Sequence, residues 1–167
     1  MHDMIMPAAQ AVTTQAMNMG MTHYMELLAT NQPWNLLIFM AIPVILAETL
    51  TATEFFVIFG RLVTGRLRQF NRAVGIALGF YFLGIFLYLV TSVLPGIAWR
   101  GYSDIIAVGS YLSGVFFLFG IALLELGVIA KNADKDAMMK LHFLLLIGFL
   151  IVAHIAMIFG MLDPALF

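Results

Sequence analysis

Residues 139–162 read MKLHFLLLIGFLIVAHIAMIFGML, an almost unbroken apolar run. A helix crossing a bilayer needs about 20 such residues. Three more runs of that kind precede it: Trp34–Gly60, Ala73–Ala98 and Asp104–Ala130. Backbone groups in lipid must be satisfied internally, so only helices or a closed barrel can span. Barrel strands need only about 10 alternating residues, and runs this long and continuous exclude them. Composition agrees: the 167 residues are 63% hydrophobic and 10% charged, against about 45–50% and about 25% in soluble domains. A soluble domain of this size could not hide that much apolar side chain. The fold class is therefore all-α, a polytopic integral membrane four-helix antiparallel bundle with a short N-terminal interfacial helix. A secreted enzyme, a nucleic-acid binder and a disordered scaffold are excluded. Eight basic residues against nine acidic ones leave no basic surface for nucleic acid. The absence of cysteine removes disulfides, thiolate metal sites and cysteine nucleophiles.

The connections are short, so residues 33–167 form one domain of four spans. Residues 1–32 form a Met-rich outer segment. Orientation follows from Lys and Arg. Arg61, Arg66, Arg68 and Arg72 follow span 1, and Lys131, Lys135 and Lys140 follow span 3, leaving only Arg100 on the other side. The basic loops are expected in the cytoplasm and both termini outside, in a bacterial inner membrane. Trp34, Trp99 and Tyr102 would then form the outer aromatic belt. The first 30 residues lack the basic n-region and apolar core of a secretory signal. The stretch Thr22–Ala29 has helical spacing, with Thr22 as N-cap and Asn31–Pro33 as stop. Close helix approach is expected at Gly75 and Gly79 of GIALG and at Ser110 and Gly114 of SYLSG. Pro43 removes one hydrogen bond from span 1 and is expected to bend it.

Five ionisable groups fall within the spans: Glu48, Glu54, Glu125, His142 and His154. A carboxylate near the bilayer centre costs about 2.5–3.5 kcal/mol even on lenient scales, so Glu48 and Glu125 are expected to face inward. Glu54, Glu125 and His142 could also reach the interface by snorkelling and simply hydrogen-bond. Glu48 is the most central, on a face with Ala41, Thr51 and Ala52. Glu125 shares its face with Ala107, Tyr111, Gly114 and Leu118. Helical rise places Glu54, Glu125 and His142 in one layer, about 5–10 Å below the cytoplasmic interface. Glu48, Glu54, Glu125 and His142 thus make a candidate transport or proton relay.

Methionine supplies a second pattern. Seven of the twelve lie in the first 25 residues, in MHDMIM and MNMGMTHYM. Thioether and imidazole suit soft Cu(I). The candidate outer capture set is His2, Met19, Met21, His23 and Met25; His154, Met157 and Met161 form an i, i+3, i+7 stripe within span 4. In its chemistry this resembles eukaryotic-type copper transporters, which pair an outer Met-rich tail with a membrane MxxxM, here Met157–Ile158–Phe159–Gly160–Met161. Those proteins have three spans and this chain four, so the likeness is one of chemistry. Methionine equally suits an amphipathic segment at the lipid surface without any metal.

The expected role is permease-like, passing or sensing a small cation, Cu(I) or a proton. Two alternatives stand beside it. A haem b electron-transfer subunit of the two-haem kind needs four inward histidines. The spans offer two, both on span 4 and about 18 Å apart, so one haem held by His154 with His23 or a methionine is what remains. The other alternative is a non-catalytic subunit of a larger membrane complex. No serine elbow, HExxH, paired aspartates or glycine-rich phosphate loop occurs, so any enzymatic role would be that of a redox subunit. Expected partners are the lipid bilayer, a second copy of the chain or a membrane complex, and no nucleic acid.

Overall fold

The computed structural model describes residues 20–59, 65–129 and 134–166. His2, Met19 and the MHDMIM run lie outside the described residues, as do Gly60 and Ala130 at the expected ends of spans 1 and 3. A short helix, α1 (His23–Ala29), opens where the sequence places it: the Thr22 side chain accepts from the Met25 N–H as N-cap. It stops at Asn31, whose φ of 51° is left-handed, followed by Pro33. Four apolar helices long enough to cross a membrane follow, Trp34–Val57, Gly65–Gly96, Tyr102–Glu125 and Asp136–Gly160. The structure is a four-helix membrane bundle in which consecutive spans pack side by side, spans 3 and 4 most extensively.

The boundaries differ from expectation in one instructive way. Span 2 begins at Gly65 rather than Ala73, and span 4 carries helix back to Lys135. Arg and Lys are good helix formers, so the helices run on into the polar zone where the apolar runs stop. Asp134 caps span 4 by accepting from the Ala137 N–H.

The core lies between the spans. Leu50 from span 1, Leu78 and Phe82 from span 2, Leu118 and Ile121 from span 3, and Leu146 from span 4 meet in one buried cluster. A second cluster forms where Tyr24 and Leu28 of α1 fold back against Phe39, Ile85 and Leu89. Large apolar residues face outward, Phe116 being 75% exposed and Leu144 62%, as lipid contact favours. Gly79 lets spans 2 and 3 touch, since a Cβ there would stand 2.5 Å from the Leu118 carbonyl oxygen.

Pro43 acts through a specific pair of carbonyls. It has no N–H to give Phe39 four residues earlier, or Ile38 five residues earlier. A π-helical turn, Leu37–Ala41, occupies this place. The Tyr111 hydroxyl donates to the Phe39 carbonyl at 2.7 Å and the Tyr81 hydroxyl to that of Ile38 at 3.0 Å. Neighbouring spans thus satisfy what proline leaves open.

Glu48 corrects an expectation. It is exposed on the outside of the bundle, as is Ala52. Span 1 buries Pro43, Ala47, Leu50 and Glu54, an i, i+4, i+7, i+11 stripe. The small and polar stripe through Glu48 lies on another face.

Candidate functional site

Three of the four spans bring an ionisable side chain to one point at the end of the bundle that carries Arg66, Arg68, Arg72 and Lys140. Glu54 projects from span 1, Glu125 from the last turn of span 3, and His142 from the second turn of span 4. Glu54 and His142 are each 3% exposed. The His142 ring stands between the carboxylates: Nδ1 is 3.1 Å from Glu54 Oε1, and Nε2 is 3.5 Å from Glu125 Oε1. Neither nitrogen makes a properly angled hydrogen bond.

Span 2 supplies what sequence reading missed. The Asn71 side-chain amide donates to Glu54 Oε2, and its carbonyl accepts from the Thr53 hydroxyl at 2.8 Å. One Glu54 oxygen is thereby fixed and the other left facing the imidazole. Arg72 Nε lies 3.9 Å from Glu125 Oε2, and the Arg72 side chain is 56% exposed. A polar chain therefore runs Thr53–Asn71–Glu54–His142–Glu125–Arg72, from the buried interior to the surface. A crevice of about 60 Å³ lies along it, lined by Glu54, Asn71, Glu125 and His142 among others, with room for a few waters. Asn71 escaped notice because it precedes the expected start of span 2; the helix begins six residues before it.

The opposite end holds a second polar group of different character. Asp104, fully buried, accepts from the His23 backbone N–H at 2.7 Å and pairs with His23 Nδ1 at 2.6 Å. Arg100 donates to the Met21 carbonyl at 2.7 Å and to Glu26 Oε2 at 2.5 Å. Thr22 donates to the Gly160 carbonyl at 2.6 Å. These bonds fasten α1 and the residues before it to the start of span 3 and the end of span 4.

Beside that fastening lies a cavity of about 390 Å³ whose lining includes Met21, Met25, Met40, Met157 and Met161. The structure thus gathers four of the expected methionines and adds Met40. It does not bring the histidines with them. His23 is committed to Asp104 and lines a different cavity, against Leu89 and Val108. His154 is exposed, its Nδ1 donating to the Leu150 carbonyl of its own helix at 2.6 Å. His154 and His23, one of the two pairings weighed for a single haem, thus have separate partners in the structure. Tyr24, also in the methionine cavity, has its phenol pushed up to about 12 by burial and stays neutral. Among the described residues no three His, Cys, Asp or Glu side chains are disposed to hold a metal ion together.

Residues 19–167 match a family described as a family of unknown function, DUF6803, and the chain belongs to that family. No curated protein and no solved structure matches the chain.

Proposed function

We propose that this chain is a permease-like membrane protein that handles a small cation, with Glu54, His142 and Glu125 as its intramembrane relay. The observation that carries the reading is the His142 ring held between two carboxylates with neither nitrogen hydrogen-bonded. Ionisable groups inside a membrane protein are costly, and most buried polar atoms are fully paired, so an imidazole offered to two carboxylates at once stands out. Here one imidazole can exchange a proton with a carboxylate on either side. Glu54 is the inner partner, positioned by Asn71; Glu125 is the outer partner, adjoining Arg72 and the surface. With the basic end in the cytoplasm, the relay opens to the cytoplasmic side. The oxygen- and nitrogen-rich cluster suits a proton, whereas Cu(I) suits the thioethers at the other end.

The test is proton flux into liposomes holding the purified protein under an imposed pH gradient. The expected result is a fall of about tenfold or more in His142→Gln, equivalent to about 1.4 kcal/mol or more in the barrier. Equal flux in wild type and variant would overturn the relay.

The exposure of Glu48 supports a second reading, a subunit of a larger membrane complex. A mid-span carboxylate facing lipid is costly, and a cationic or hydrogen-bonding partner helix would cover it. On that reading Glu48→Leu releases a co-purifying membrane protein; on the permease reading the purified chain conducts alone.

A further inference from the structure

We propose that the cavity at the N-terminal end of the bundle is a thioether site for a soft monovalent metal ion, Cu(I), built from Met21, Met25, Met40, Met157 and Met161. The inference deepens the cation reading by naming the species held at this end, and it does not require the relay at the other.

Placement comes first. Met21 and Met25 are four residues apart, just before and within α1; Met157 and Met161 are four apart at the end of span 4. Spacing of four puts Met157 and the C-cap residue Met161 on one helix face, while Met21 precedes the Thr22 N-cap of the helix that carries Met25. Met40 arrives from span 1 within the π-helical turn, a feature that recurs at functional sites. Three separate elements thus converge on one cavity of about 390 Å³. The convergence is held in place. Thr22 is bonded to the Gly160 carbonyl, one residue before Met161. A Cβ on Gly160 would stand 2.7 Å from the Tyr24 ring, so glycine there lets α1 seat directly on span 4.

Chemistry then narrows the occupant. Methionine is 12 of the 167 residues, yet it supplies five of the ten that line this cavity, far above a random share. Among the described residues no carboxylate and no imidazole lines it, and the polar side chains are those of Tyr24 and Gln32. A hard divalent cation would find no anionic oxygen there. Thioethers are neutral and soft, which favours Cu(I) among biological metals. A single positive charge is also the least costly one to hold beside so apolar a wall. Met161, 64% exposed, marks the mouth. The ligand set is narrower than the sequence implied, for His23 is committed to Asp104 and His154 is turned to the outside.

Methionine packs apolar gaps equally well without metal, and Met→Leu separates the two roles by keeping volume and polarity while removing sulfur. The full-length protein in lipid nanodiscs is titrated anaerobically with Cu(I) against a chromophoric Cu(I) chelator. One ion per chain is expected. Affinity should fall about tenfold or more, a change of about 1.4 kcal/mol or more in binding, in Met21→Leu/Met157→Leu/Met161→Leu. His154→Ala should bind as wild type. Leucine at Met4, Met6 and Met17 together should leave the stoichiometric site intact. Unchanged affinity in the cavity variant, or binding lost only with the upstream methionines, overturns the proposal. Should the triple variant fail to fold, the ε-methyl NMR signals of the wild-type chain decide: Ag(I) must shift the five cavity methionines, and shifts confined to other methionines overturn it. Absent Cu(I) binding with relay flux intact would sink this site alone.

Discussion

At the N-terminal end, Asp104 is fully buried and accepts from a backbone N–H and an imidazole, while Arg100 closes the group onto Met21 and Glu26. At the basic end, Glu54 is almost as deeply buried, yet one of its oxygens faces an imidazole that completes no hydrogen bond. Both ends hold carboxylate, histidine and arginine within an apolar bundle. The first is closed: among the described residues Asp104, His23, Arg100 and Glu26 each have a partner and the result is a fastened helix, beside a buried Ser103 hydroxyl without a hydrogen-bond partner. The second is open, with two acceptors competing for one ring. Burial of charge therefore does not distinguish the two ends; the way each carboxylate is partnered does.

Substitutions can break or sharpen this contrast. The largest effect is expected from His142→Ala, which leaves Glu54 buried without its facing ring. Removing one partner of a buried pair costs about 3–5 kcal/mol, read as a lower denaturation midpoint in detergent together with lost flux. Asp104→Ala attacks the closed end and should cost about 1.5–3 kcal/mol, the range for hydrogen bonds to charged groups. Hydrogen exchange over residues 22–30 should accelerate while flux persists; loss of flux there would erase the distinction between the ends. Tyr111→Phe strips the donor from the Phe39 carbonyl and should cost about 0.6–1.7 kcal/mol, as for hydrogen bonds between membrane helices. That variant should leave relay flux unchanged. Smallest is His154→Ala, exposed and bonded only to its own helix, which should shift stability by about 0.5 kcal/mol or less. A larger shift would mean that His154 has a partner across the bundle.

The four spans were legible because apolar length is a property of the chain itself. The layer of Glu54, Glu125 and His142 was legible too, since rise per residue fixes depth whatever the packing. Azimuth was not. Glu48 was assigned inward from its small neighbours, but spans that are apolar all round carry little amphipathic signal, and packing alone chose Pro43, Ala47, Leu50 and Glu54 as the buried stripe. Asn71 was hidden because the end of the apolar run was taken as the end of the helix. Met21, Met25, Met157 and Met161 were legible as one chemistry, whereas Met40 joins them only because α1 folds back over spans 1 and 4. Hydrogen bonds between distant residues withdrew His23 from that set.

The most direct test of the contrast uses two near-isosteric substitutions in one assay. Glu54→Gln and Asp104→Asn each replace one buried carboxyl group by an amide and keep its shape. Proton flux into liposomes is measured for both at matched protein incorporation. The open-site account predicts that Glu54→Gln falls about tenfold or more, a barrier increase of about 1.4 kcal/mol or more, while Asp104→Asn conducts as wild type. Equal flux in the two variants, whether both retained or both lost, would contradict it.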